Sequence, residues 1–112
     1  AATQIRDLIA GALAGMVNLP GTFQDAVGCG AEWDPACQAT ALKQGDDGLF
    51  TLTVQIPAGD YEYKVALDGA WTVNYGSDGA QDGPNYTLSV PADGNVTFTY
   101  NPETHLVEVV IE

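Results

Sequence analysis

Short stretches of strict apolar–polar alternation, turn-forming dipeptides between them, and a length suited to a single hydrophobic core predict an all-β fold. The expected form is an immunoglobulin-like antiparallel β-sandwich of about seven strands, preceded by a short N-terminal amphipathic helix. Alternation with a period of two places every second side chain on one face, which is how a half-buried strand reads in sequence. At 112 residues the chain forms one domain, and folding at that size removes roughly 65% of the unfolded surface from water. The expected division is an amphipathic segment over residues 1–16 and a sandwich over residues 17–112.

The segment comes first. Ile5, Leu8, Ile9, Ala12, Leu13 and Met16 recur in steps of three and four, with Thr3 as N-cap. Gly11 and Gly15 each weaken this helix by about 1 kcal/mol relative to alanine. After Met16 the pattern is strand and turn. Phe50, Leu52, Val54 and Ile56 alternate with Thr51, Thr53 and Gln55. The turn Pro57-Ala58-Gly59-Asp60 leads into a strand in which Tyr61, Tyr63, Val65 and Leu67 alternate with Glu62, Lys64 and Ala66. Asp68-Gly69 reads as a tight hairpin turn before a strand over 70–73. Tyr86, Leu88 and Val90, then Val96, Phe98 and Tyr100, and finally Leu106–Ile111 complete the strands, separated by Pro91-Ala92-Asp93-Gly94 and Asn101-Pro102-Glu103. Two irregular stretches remain, 24–39 and 76–84. Long loops on a rigid sandwich are where function is usually placed.

The charge balance narrows the partners. Three basic residues, Arg6, Lys43 and Lys64, face fifteen acidic ones, for a net charge of -12. So acidic a surface repels phosphate backbones and anionic lipid, which disfavours nucleic acid and membrane surfaces. No run of about 18 apolar residues is present, so membrane insertion is not expected. The opening Ala1-Ala2-Thr3 looks like what a signal peptidase leaves. Cys29 and Cys37 have no set of histidines with which to build a zinc site, since His105 is the single histidine. Their spacing does not suit a redox pair either. A structural disulfide is expected, which places the chain in an oxidising, extracellular compartment; closing so short a loop contributes about 2.5 kcal/mol in the chain-entropy model.

Catalysis finds little support. His105 reads as a surface turn residue, and Ser77 and Ser89 lie outside any nucleophile-elbow pattern. No enzyme activity, catalytic residue or cofactor is expected. Asp78 and Asp82, with Asp46 and Asp47, supply hard oxygen atoms of the kind calcium takes, but their spacing is not that of an EF-hand and acidic turn residues are usually only turn residues. No metal site is therefore expected. Asn85-Tyr86-Thr87 and Asn95-Val96-Thr97 match the N-glycosylation triplet.

The informative segment is Tyr61-Glu62-Tyr63-Lys64-Val65-Ala66-Leu67-Asp68-Gly69-Ala70-Trp71. Lys64, expected to be the sole basic residue in the strands, points away from the face of Tyr63 and Val65, and the hairpin turn brings Trp71 towards it. A flat indole stacks on the C–H face of a pyranose, while an ammonium and an amide bind the hydroxyls. The plainer alternative is that Trp33 and Trp71 are core aromatics.

At these residues the sequence resembles the α-glucan-binding sandwiches of the AMP-activated kinase β subunit and of branching and debranching enzymes. It is most similar to the accessory modules of bacterial pullulanases. Gly28-Cys29, Trp33-Asp34-Pro35-Ala36-Cys37, the strand Tyr61–Ala66 and the turn Asn74-Tyr75-Gly76 carry the resemblance, over about residues 17–110. It implies a non-catalytic, secreted α-glucan-binding module in which Trp33, Lys64, Trp71, Asn74 and Asn85 contact the polysaccharide. The N-terminal segment lies outside the resemblance. The alternative reading is therefore a self-assembling subunit of an extracellular filament or surface layer, a homo-oligomer joined through residues 3–16.

Overall fold

A computed structural model of the protein describes residues 14–112. The strands in chain order are β1 (Val17–Asn18), β2 (Ala41–Gln44), β3 (Phe50–Ile56), β4 (Gly59–Tyr63), β5 (Val65–Leu67), β6 (Asn74–Tyr75), β7 (Tyr86–Val90), β8 (Gly94–Asn101) and β9 (Leu106–Ile111). Every pairing is antiparallel. Seven strands form one sheet in the order β6-β5-β1-β2-β3-β8-β9, and β4 and β7 form a separate ribbon.

Alternation builds the core as expected. In β8, Val96, Phe98 and Tyr100 are buried while Asn95, Thr97 and Thr99 are not. Its partner β3 runs in register from Phe50↔Tyr100 to Ile56↔Gly94, so that the apolar sets of both strands share one face. The ribbon closes over that face: Tyr63 of β4 meets Phe98 edge-on, with ring centroids 5.3 Å apart, and lies parallel to Tyr86 of β7 at 4.8 Å. Phe23, from the loop after β1, stacks on Phe98 at 5.5 Å. Burial pushes the Tyr63 and Tyr86 hydroxyls above the ordinary tyrosine range and that of Tyr100 up to about 12. At the far edge, β9 half-buries Val107 and Val109 and leaves Leu106, Val110 and Ile111 exposed.

Three expectations need correction. The alternating run Tyr61–Leu67 is not one strand. The chain leaves the ribbon at Tyr63 and enters the large sheet at Val65, so Ala66 is buried alongside Val65. Residues 70–73 are not a strand either. Asp68 (φ 60°) and Gly69 (φ 70°) do form the tight turn, closed by Ala70 N–H to the Leu67 carbonyl at 3.3 Å. Pairing resumes only where Leu67 N–H donates to the Val73 carbonyl at 3.0 Å, which leaves residues 70–72 outside it. Lys64 is not a strand residue, lying between β4 and β5, and the basic residue within a described strand is Lys43 of β2. Of the helix expected to end at Met16, residues 1–13 lie outside the described residues, and Ala14 and Gly15 form a turn. Gly15 takes a left-handed backbone (φ 79°), and its N–H donates to Asp68 Oδ1 at 2.7 Å.

Candidate functional site

Two loops bring their tryptophans together. The indoles of Trp33 and Trp71 are 38 residues apart in sequence, yet their rings lie 6.3 Å apart and are tilted by 41°. Trp71 is 39% exposed and Trp33 is half-buried, so neither is a core residue.

Trp71 sits in the β5–β6 connection. Asn74, only 6% exposed, supports it from below. Its Nδ2 donates to the Trp71 carbonyl at 2.9 Å and to Asp82 Oδ1 at 3.0 Å. These two acceptors fix the orientation of the amide, which leaves Asn74 Oδ1 buried without a partner among the described residues. Asn74, expected as a direct ligand contact, is buried and hydrogen-bonded to the backbone of Trp71 and to Asp82 of the 76–84 loop.

Trp33 is held by a different device. The Cys29–Cys37 disulfide forms, with Cα atoms 5.8 Å apart, and encloses Trp33. Beneath the loop lie three fully buried polar side chains, Asn18, Gln24 and Thr40. Gln24 Oε1 accepts from Gly21 N–H at 3.1 Å and Asp34 N–H at 2.8 Å, while its Nε2 donates to the Asp34 carbonyl at 2.8 Å and Thr40 Oγ1 at 2.9 Å. Asn18 Nδ2 donates to the carbonyls of Pro35 at 2.9 Å and Cys37 at 2.8 Å, and its Oδ1 accepts from Thr40 Oγ1 at 2.6 Å. Every polar atom of these two amides is engaged, so their burial costs little, and the loop backbone they bind cannot shift without breaking several bonds at once. Trp33 itself is in the left-handed region (φ 56°), a conformation that costs a non-glycine residue about 1 kcal/mol or more. Its N–H donates to the Gly21 carbonyl at 3.3 Å. Periodicity passes over Asn18, Gln24 and Thr40, since polar residues in an irregular stretch read as solvated loop.

Lys64 and Asn85 occupy the same end of the ribbon. The pairing of β4 with β7 ends at Tyr63↔Tyr86, and Lys64 and Asn85 are the residues just beyond it, Lys64 after β4 and Asn85 before β7. Lys64 is half-buried, its N–H donating to the Pro20 carbonyl at 3.0 Å, and Asn85 is exposed. Gly21 bridges Tyr63, and a Cβ at Gly21 would collide with the Glu62 carbonyl and with Tyr63. Only glycine therefore allows the segment whose Gly21 carbonyl accepts from the Trp33 N–H to lie against β4.

The remaining candidates serve the fold. His105 is a turn residue, but half-buried rather than on the surface. Its ring lies parallel to Tyr75 at 3.8 Å, and Nδ1 shares a 2.9 Å hydrogen bond with the Tyr100 hydroxyl. Asp78 Oδ1 accepts from Ala80 N–H at 2.9 Å and Asp47 Oδ1 from Leu49 N–H at 3.0 Å, the work of ordinary turn acids. Among the described residues no group of three or more His, Cys, Asp or Glu side chains is arranged to hold a metal ion.

Comparison with known proteins adds context to this geometry. Residues 16–107 match a family described as the pullulanase X25 domain. An amylopullulanase of Thermoanaerobacterium saccharolyticum is 47% identical over 90 residues, 79% of this chain and 7% of that protein. A second, from Thermoanaerobacterium thermosulfurigenes, is 42% identical over 90 residues and matches over 5% of its own length. Among solved structures, the pullulanase from Bacillus acidopullulyticus superposes with a TM-score of 0.75 at 38% identity, covering 85% of this chain and 11% of that one. The chain thus spans about a tenth or less of the proteins it matches.

Proposed function

The chain belongs to the pullulanase X25 domain family, and from that premise we propose that this immunoglobulin-like sandwich is a non-catalytic, secreted module that binds α-glucan. The observation that carries the reading is the Trp33–Trp71 pair, two indoles at 6.3 Å presented to solvent on loops. An exposed ring, with its backbone fixed beforehand, offers an apolar plate to the C–H face of a glucose unit at little entropic cost. The 41° tilt lets the two plates meet consecutive rings of a chain that curves. In this reading Lys64, Asn85 and Asn74 supply hydrogen bonds to sugar hydroxyls, and Asn74 also holds the Trp71 carbonyl. The Cys29–Cys37 disulfide agrees with an extracellular location. In a longer polypeptide acting on starch-like polymers, such a module would keep the enzyme close to its substrate.

With two stacking contacts and a few hydrogen bonds, affinity falls in the range of about micromolar to millimolar. Affinity electrophoresis in amylopectin or pullulan gels tests this directly. The wild-type protein is retarded and Trp71→Ala is not; equal wild-type mobility with and without polysaccharide removes the reading.

A second reading, self-assembly into an extracellular layer or filament, draws on the edge strand β9, where Leu106 (40%), Val110 (59%) and Ile111 (39%) are exposed. Light scattering on the eluting protein separates the two readings. A monomer at high concentration removes the assembly.

A further inference from the structure

The outer face of the β4–β7 ribbon carries a ladder of polar residues. Alternate residues of a strand share a face, so Glu62 and Asp60 follow one another along β4. The register Glu62↔Thr87 and Asp60↔Ser89 sets Thr87 and Ser89 beside them. This face forms one side of a groove of about 660 Å³, walled by Thr22 and Glu32. Both walls are tied to the tryptophan site. Glu32 precedes Trp33, and Thr22 follows Gly21, whose carbonyl holds the Trp33 N–H. Thr22 also binds Glu62 from both sides, its N–H donating to the Glu62 carbonyl at 2.9 Å and its Oγ1 accepting from the Glu62 N–H at 3.0 Å. Asp60 accepts from Ser89 Oγ at 2.7 Å, which holds that pair in place.

We propose that this groove is an extension of the glycan-binding surface, taking further sugar units of a chain whose first units sit on Trp33 and Trp71. From Glu62 to Asp60 the strand advances about 7 Å, more than one sugar ring spans. The chemistry of the lining suits a neutral polyol. Carboxylates accept charge-assisted hydrogen bonds from hydroxyl groups, and Thr87 and Ser89 both donate and accept. Glu32, Asp60 and Glu62 repel sulfated or uronic-acid polymers. The ligand class is therefore an uncharged, multi-unit glucan strand.

This inference rests on the glucan reading, and a chain-length series tells their failures apart. Calorimetric titration of the full chain with maltotriose and then maltohexaose is expected to show affinity rising about tenfold with length, the effect of one or two added net hydrogen bonds. Glu62→Ala with Thr87→Ala, both exposed substitutions, removes that rise and leaves maltotriose affinity unchanged. Trp71→Ala weakens both ligands. In amide NMR spectra, maltohexaose shifts Thr87 and Ser89 whereas maltotriose does not. Equal affinity for the two sugars, or a rise that survives the double substitution, overturns the groove while sparing the tryptophan site. Absence of binding to either sugar overturns both.

Discussion

Two groups of aromatic rings in this molecule pack at similar distances and have opposite fates. Inside, Phe23, Tyr63 and Phe98 pack at centroid distances of 5.3–6.0 Å and are no more than 1% exposed. Outside, Trp33 and Trp71 lie 6.3 Å apart, with Trp71 39% exposed. Tyr63 and Phe98 stand on strands and Phe23 in the loop that packs beneath the ribbon, whereas the outer pair stands on loops that backbone-binding polar side chains fix in place. Burying an aromatic ring stabilises the fold through the area it removes from water. A ring left in water contributes little to folding, and its apolar face stays available to a ligand.

The largest expected effect breaks the inner group. Phe98→Ala should cost about 3–5 kcal/mol of unfolding free energy, read from urea denaturation, because the cavity lies between a closed ribbon and sheet. A loss below about 1 kcal/mol would mean that the inner rings are not the stabilising set. Next comes the polar support under Trp33. Gln24→Leu leaves the Asp34 and Gly21 N–H groups unpaired and should cost about 2–3 kcal/mol. It should also shift Trp33 fluorescence in the native state, a change that Phe98→Ala need not produce.

Alkaline titration sharpens the contrast. Tyr100, held neutral by burial, has its hydroxyl pushed from 10.0 up to about 12, and Tyr63 is raised as well. The unfolded chain gives up these protons first. Stability contributed by this burial is therefore whole below about pH 10 and is lost as pH rises through about 12. Denaturation midpoints measured from pH 9 to 12 should fall, and Tyr100→Phe should flatten part of that fall. Binding of glucan below pH 10 should not follow it. The smallest effect on stability belongs to Trp71→Ala, about 0.5 kcal/mol or less at so exposed a position, while the same change abolishes retardation by amylopectin. A stability loss of about 3 kcal/mol there would place Trp71 with the structural rings and dissolve the comparison.

What the sequence determined by itself is local. The alternation of Phe50–Ile56 and Val96–Tyr100 specifies which side chains face the core, because the pleat has a period of two and each strand carries its own pattern. Asp68-Gly69 specifies a tight turn, because both residues take a left-handed backbone there. Cys29 and Cys37 are near enough in sequence for their pairing to be read from spacing. Tertiary structure decided the rest. The run Tyr61–Leu67 keeps its alternation in sequence while its backbone passes from one sheet to another, a change made by pairing partners and not by its own residues. Asn18, Gln24 and Thr40 look like solvated loop residues until the backbone groups they satisfy fold over them. The burial of Asn74 and its hydrogen bond to the Trp71 carbonyl are likewise invisible in its own sequence neighbourhood. The meeting of Trp33 with Trp71 joins residues 38 positions apart. Periodicity constrains neighbours a few residues away; only the packing of two loops on one scaffold brings distant side chains to a common surface.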